Sequence, residues 1–559
     1  MLPRRSPPRP RVKARARRRR PRNRAIRPRA SIPSPRRRQP PPLIRRSPHP
    51  PHPHLPRPHR PNLHRSNLHR SNPDRSPRRH RTAASSAIPS SVSGVSSRVV
   101  PSRSDSVAAS GSMIIGGPFG RFARAGSSWW TPIRVLIVMA SAAYALGFLL
   151  DYPCMSNGWA SPDRYEHLCY SDIPPLYSLR GFADGYLPYL QTPPDGQPLE
   201  YPVLIGVFMQ IVAWFTRGVN AIVPDLNAPL AFFVITVVAM LPFLLMAVIA
   251  TARTVRARPW DAAILALAPS VILAATINWD LLAIGLAAVA IALWAREKPG
   301  WAGVFLGLAI AAKFYPLLFL GPLLLLCLRA GQMRAFARLL VATIITWLVI
   351  NLPFAIANTE GWSYFYTFSS DRGADFGSLW YAVDLWGGPS IPTETLNVVA
   401  LGTLLVLCAG IGALILFAPL RPRLAPMLFL VVAAFLITNK VYSPQFVLWL
   451  IPLAALARPK WRDFLIWQFA EVAYFVAVWW YLAGFGVEDA KGMTPEWYAF
   501  FIFVHIGATV WFSALIVRDA LYPEFDIVRT DGILADRDDP GGGVLDGAGD
   551  RLPWSKVLG

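Results

Sequence analysis

The sequence is short of charge, and where charge is plentiful it has one sign. Charged residues make up 16% of the 559, well below the roughly 25% of soluble domains. Residues 1–131 carry 31 Lys and Arg against two acids, Asp74 and Asp105, while the other 428 carry 26 against 30. The net charge of +25 is therefore a property of one arm. Cysteine is scarce, at four, and His and Cys nowhere cluster at metal-ligand spacing. With no DxD pair in the polar stretch 151–200, the sequence predicts no cofactor and no required metal. Nothing resembles a dinucleotide fingerprint or a P-loop, which argues against a nucleotide-sugar domain. No repeat-protein period runs through the apolar part.

What is abundant is apolar bulk, with 53% hydrophobic residues, 20 Trp and 30 Phe. Apolar runs of about 15 to 23 residues recur between Val135 and Val517, the pattern of an all-α polytopic membrane protein. The Arg-rich arm and Arg134 precede the run Val135 to Leu150, which predicts a cytoplasmic N-terminus and an external loop over 151–200. A second long external loop is expected over 358–396, and a Gly/Asp-rich cytoplasmic tail over 521–559. The middle admits two arrangements. Three basic stretches, 251–259, 295–299 and 329–338, all lie inside if 201–222 is re-entrant or interfacial and 300–328 is a hairpin turning at KFYP (313–316). The alternative makes both full crossings and leaves two basic stretches outside. Charge favours the first, and each gives about 12 transmembrane helices.

The arm, residues 1–128, is Arg, Pro, His and Ser with a small repeat, LHRSNLHRSNPDRS (63–76). It lacks apolar periodicity and reads as a disordered, solvated cytoplasmic arm. A contact with anionic lipid is an alternative; nucleic acid is not an expected partner. A start at Met113 would remove most of it, and it has no apolar core of a cleavable signal. The membrane domain is expected over 129–520.

The first loop is thick with aromatics and acids for its place between two apolar runs: YSDIPPLYSLRGFADGYLPYLQTPPDGQPLEYP (170–202). Asp172, Tyr177 and Tyr186 fall at spacings suited to a short amphipathic helix lying on the bilayer. A carboxylate held there, near a tyrosine and Arg180, can take a proton from a sugar hydroxyl. The competing reading makes Asp172 a helix N-cap, and Asp151 and Asp163 are rival acids in the same loop. Cys154 and Cys169 flank 14 residues of it; in an oxidising compartment they form a disulfide worth about 3 kcal/mol. Cys327 and Cys408 lie in apolar runs and read as packing residues.

The first loop resembles that of the family-87 integral membrane glycosyltransferases of the GT-C fold, the polyprenyl-phosphate-mannose-dependent mannosyltransferases of actinobacteria. The resemblance extends through INWDLLA (277–283), GLAIAAKFYPLLFLGPLLLLCLRAG (307–331), FSSDRGADFGSLWY (368–381) and NKVYSPQFVLWLIPLAALA (439–457), and spans about residues 130–520. It implies a plasma-membrane enzyme that moves mannose from a polyprenyl phosphate to a cell-envelope glycolipid or glycan on the outer face. It further implies a catalytic base in the first external loop, for which Asp172 is the match.

On that reading the leaving phosphate requires cations, because its charge grows in the transition state. Lys313 is the first candidate, since a charge in an apolar stretch is costly; Arg372 and Lys440 are external-side candidates. Tyr177, Arg180, Tyr201, Asp280 and Trp380 are expected to bind substrate, with pairing to Lys313 the alternative for Asp280. Tyr364, Tyr366, Tyr381 and Trp386 suit sugar stacking or an interfacial aromatic belt. Glu471 and His505 read as an interhelical hydrogen bond. A transporter or flippase of lipid-linked sugars is the rival class. It is disfavoured because the ionisable groups concentrate in loops.

Overall fold

Long apolar runs satisfy their backbone in hydrocarbon only as helices or closed barrels, and the described residues contain helices and no strand. The computed structural model describes residues 105–107, 110, 129–193, 197–484, 492–530, 534 and 537–551. The expected disordered arm and the alternative start at Met113 lie outside them, save residues 105–107 and 110. The principal helices are α1 (Pro132–Leu150), α2 (Val203–Ile222), α3 (Ala228–Thr254), α4 (Asp280–Trp294), α5 (Pro299–Ala312), α6 (Leu320–Ala330), α7 (Met333–Ala357), α8 (Thr359–Asp371), α9 (Thr393–Phe417), α10 (Leu424–Thr438), α11 (Val447–Ala457), α12 (Trp461–Gly484) and α13 (Pro495–Leu521).

Among the described residues, seven segments are long and apolar enough to cross a membrane: Pro132–Asn157, α2, α3, α7, α9, α12 and α13. Five shorter apolar segments of 10–17 residues accompany them. The short ones form the centre. Nearly every side chain of α4, α10 and α11 is buried, as expected of helices apolar on all sides. By contrast, α7 and α9 bury only a few residues each and present Val341, Ile345, Val349, Val398 and Val406 outward, the lipid-facing perimeter of the bundle.

The helix ends sort into two faces. On one, the C-terminal segment is laced to the chain. Trp294 Nε1 donates to the Gly542 carbonyl at 2.8 Å, and Arg329 pairs with Asp550, Arg421 with Asp538 and Arg423 with Asp526. Arg458 joins the ends of α12 and α13 through Asp463 and Asp519. The opposite ends of α4, α5, α10, α11 and α12 stop around a large cavity lined by Lys313, Lys440, Gln445 and Trp479. So α5 rises from the tail face to Lys313, and α6 returns from there to Arg329. The chain turns at KFYP, and the basic stretches 295–299 and 329–338 share the tail face. Thr254 and Val255 reach that face too, where they touch Gly541.

Helix α2 is long enough to cross, yet its contacts run along the loop face. Phe208 meets Phe243, midway down α3, at 6.0 Å, while Arg217 packs on Gly185 of the first loop. Only five residues separate Ile222 from the start of α3, so α2 climbs away from the cavity floor without reaching the tail.

Two central helices break short of their successors. Pro316 cannot donate to the Ala312 carbonyl, where α5 ends, and α10 ends at Thr438, with Asn439 extended. At the first break Lys313 is extended, φ −149° and ψ 148°; at the second, the Lys440 carbonyl accepts from Asp375 N at 2.9 Å. Non-helical backbone at such depth is tolerated where it lines a cavity, and each break carries a lysine into the wall.

Candidate active site

The first loop folds inward. Ser171 Oγ donates to the carbonyls of Thr276 and Ile277 at 2.8 and 3.1 Å, and Asp172 N donates to Ile277 at 2.8 Å. The loop is thus stitched to the turn that starts α4. A disulfide joins Cys154 to Cys169 with Cα atoms 5.9 Å apart, and Trp159 Nε1 donates to the Cys169 carbonyl at 3.1 Å. The short helix Ile173–Leu179 buries Ile173, Pro174, Leu176 and Tyr177. It packs into the bundle rather than lying flat on a bilayer surface.

Asp172 precedes that helix, but its carboxylate makes no capping bond. Instead Oδ1 accepts from Tyr170 Oη at 2.8 Å and Oδ2 from Tyr201 Oη at 3.4 Å. The carboxylate faces a cavity of about 1270 Å³, room for the head of a lipid-linked sugar and an acceptor together. Burial pushes its pKa up, against the Tyr170 hydrogen bond and the Lys313 charge, which favour the ionised form; Glu200 and Asp280 push it further up. A carboxylate whose pKa is raised is a stronger proton acceptor, once ionised, than an ordinary one.

Lys313 lines the same cavity. Its ammonium lies 2.9 Å from Asp280 Oδ1, and 5.0, 5.7 and 6.0 Å from the ring centres of Tyr201, Phe446 and Trp449. A carboxylate and three π faces hold the charge at one point. Arg372 and Lys440 also reach the cavity wall. Arg372 pairs with Asp375. Lys440 Nζ donates to the Ser370 carbonyl at 2.8 Å and to Asn397 Oδ1 at 2.5 Å. Burial lowers the Lys440 pKa, with the Arg372 charge adding to the shift and Asp371 opposing it.

The structure thus brings Asp172, Lys313, Arg372, Lys440 and Tyr201 to one cavity, and sends the other expected substrate contacts elsewhere. Tyr177 is 2% exposed and stacks on Phe232 at 4.8 Å. Arg180 is clamped by Glu200 at 2.6 and 2.8 Å, and it is Glu200 that lines the cavity. Asp280 lies buried beneath Lys313. Trp380 Nε1 donates to the Thr438 carbonyl at 3.0 Å, outside the cavity wall. Of the second-loop aromatics, Tyr364 and Tyr366 line the cavity and Tyr381 and Trp386 do not. Asp151 is buried at the end of α1, and Asp163 binds Asn157 Nδ2 at 2.9 Å. Glu471 accepts from Trp467 and Thr509 and lies 3.5 Å from His505 Nδ1.

Sequence reasoning missed Tyr170, Arg164, Tyr165 and Trp479, which share the wall beside Asp172. Tyr170 had a local signal, since two residues apart on an extended chain share a side; Trp479, in a run of aromatics on α12, had none. Among the described residues no His, Cys, Asp and Glu side chains converge as a metal site.

Residues 200–438 match the model of glycosyltransferase family 87. The matched part begins after Asp172 and takes in Tyr201, Asp280, Lys313 and Arg372. No curated protein matches the chain. The family match and the apolar helices indicate a multi-pass membrane glycosyltransferase.

Proposed function

We propose that this multi-pass membrane glycosyltransferase moves a sugar, most simply mannose, from a polyprenyl phosphate to a glycolipid or glycan acceptor, with Asp172 as general base. The reading rests on one observation. The loop carboxylate faces a cavity whose wall also holds a caged ammonium, linked to it through Tyr201.

Asp172 takes the proton of the acceptor hydroxyl. The acceptor oxygen bonds to the anomeric carbon as the bond to the phosphate oxygen breaks. That bond's electron pair leaves on the phosphate, and the anomeric centre inverts. Lys313 meets the growing phosphate charge; Arg372 and Lys440 supply further cationic lining. A donor carried by lipid requires no nucleotide-binding domain, and the cavity lies among helices from which a polyprenyl chain can extend into the bilayer. The basic helix ends gather on the tail face, which the positive-inside rule assigns to the cytoplasm. The cavity then opens outside, at the plasma-membrane surface, with both termini cytoplasmic.

Purified protein with polyprenyl-phosphate mannose and a glycan acceptor tests this. Asp172→Asn is expected to lower kcat by roughly 10²- to 10⁴-fold while still binding donor. Transfer that survives the substitution removes Asp172 from the mechanism. Movement of lipid-linked sugar across liposomes without bond formation makes the protein a flippase instead.

A further inference from the structure

The two sides of Asp172 differ in chemistry. The Tyr201 side carries the ammonium of Lys313. The Tyr170 side is an aromatic wall. Tyr170 and Trp479 have ring centres 4.7 Å apart, Tyr165 and Tyr170 5.7 Å, and Tyr165 and Trp479 6.2 Å, with interplanar angles of 29°, 13° and 19°. Arg164 edges the wall. Its carbon Cζ lies 4.7 and 5.6 Å from the Tyr165 and Tyr170 ring centres, and its Nη2 donates to Tyr165 Oη at 2.9 Å. All four residues line the cavity.

We infer that this wall is the acceptor subsite, so that the acceptor glycan and the donor phosphate reach Asp172 from opposite sides. The inference rests on the glycosyltransferase reading above. The C–H bonds of a pyranose face are slightly positive and suit the negative faces of near-parallel rings. The guanidinium of Arg164 adds donors for hydroxyls at the edge. A phosphate has no such complementarity to aromatic faces, whereas Lys313 offers it a fixed charge. The arrangement also gives each carboxylate oxygen one neighbour. Oδ1 is held by Tyr170 on the acceptor side and Oδ2 by Tyr201 on the donor side.

Equilibrium binding to the full-length protein in nanodiscs separates the sides, with an alkyl mannoside as acceptor probe and polyprenyl phosphate as donor probe. Tyr165→Ala is expected to weaken the alkyl mannoside roughly 3- to 10-fold and to leave polyprenyl phosphate unchanged; that second result also reports an intact cavity. Tyr165→Phe keeps the ring and is expected to bind the mannoside nearly as the parent does. Lys313→Met should reverse the pattern, losing polyprenyl phosphate and keeping the mannoside. Unchanged mannoside binding in Tyr165→Ala, or a loss confined to polyprenyl phosphate, overturns the subsite. Neither result depends on turnover, so the subsite stands or falls separately from the role of Asp172.

Discussion

Lys313 Nζ lies 2.9 Å from Asp280 Oδ1, joining a cation at the cavity wall to a carboxylate that is 1% exposed. No other cation pairs with Asp280 among the described residues. Removing one partner of a buried pair leaves an uncompensated charge, typically at about 3–5 kcal/mol. Here Lys313 borders the cavity and can recover some hydration, so Asp280→Asn is expected at the low end, about 3 kcal/mol. The double variant Asp280→Asn, Lys313→Met should be less destabilised than the sum of the two singles, read by thermal unfolding in detergent. Additive losses would show that the two side chains act independently.

The pH dependence of transfer follows from the surroundings of Asp172. Burial raises its pKa above the ordinary carboxylate value of about 3.9. A base works ionised, so kcat/KM is expected to rise with pH along a limb centred above that value. The Tyr170 bond and the Lys313 charge both favour the ionised form. Tyr170→Phe and Lys313→Met should therefore each move the limb to higher pH; a limb that stays in place would place neither group in contact with the base. The stability effect has the opposite sense. A carboxyl whose folded pKa is raised contributes stability below its unfolded pKa and loses it as pH rises through the folded one. Asp172→Asn is expected to be at least as stable as the parent above that window, although its kcat is lowered.

Part of the candidate site's lining was legible in the sequence because cost makes charge conspicuous in an apolar chain. Lys313 stands alone between apolar runs and Asp172 sits in an aromatic loop; the structure brings both to the cavity. The reading failed where a side chain's direction depends on tertiary packing. Tyr177 has the spacing of a surface helix, but Phe232 of α3 supplies a ring for it to stack upon. Arg180 looked free until Glu200, twenty residues on, closed around it. The turn at KFYP was readable, since Pro316 interrupts the helix ladder wherever it falls. That α2 keeps to the loop face follows the arrangement favoured by the basic stretches 251–259, 295–299 and 329–338, although its length and composition equally permit a crossing.

The disulfide between Cys154 and Cys169 closes a short loop that carries Arg164 and Tyr165 and ends one residue before Tyr170. Its loss is expected to cost about 3 kcal/mol or less, and to loosen the aromatic wall more than the Lys313 side. Cys154→Ser should raise the acceptor KM while the donor KM stays near the parent value. Equal changes in both would assign the bridge a purely global role.

The tail face offers a test of how the bundle is closed. Arg423, at the start of α10, is held by Asp526 at 2.6 and 3.0 Å and donates to the carbonyls of Leu456 and Ala457 at 3.0 and 2.7 Å. The pair is buried, with side chains 1% and 6% exposed. Arg423 thereby satisfies the last carbonyls of α11 and ties α10, α11 and the C-terminal segment together at the end of α10 opposite Lys440. Asp526→Asn leaves a buried guanidinium short of its counter-charge and is expected to destabilise by about 3 kcal/mol. Because the cavity lies at the far end of these helices, donor and acceptor KM should hardly change at temperatures where the variant is folded. A lower melting temperature with unchanged KM values would mark the clasp as structural; altered KM values with unchanged melting would show that the tail face communicates with the cavity.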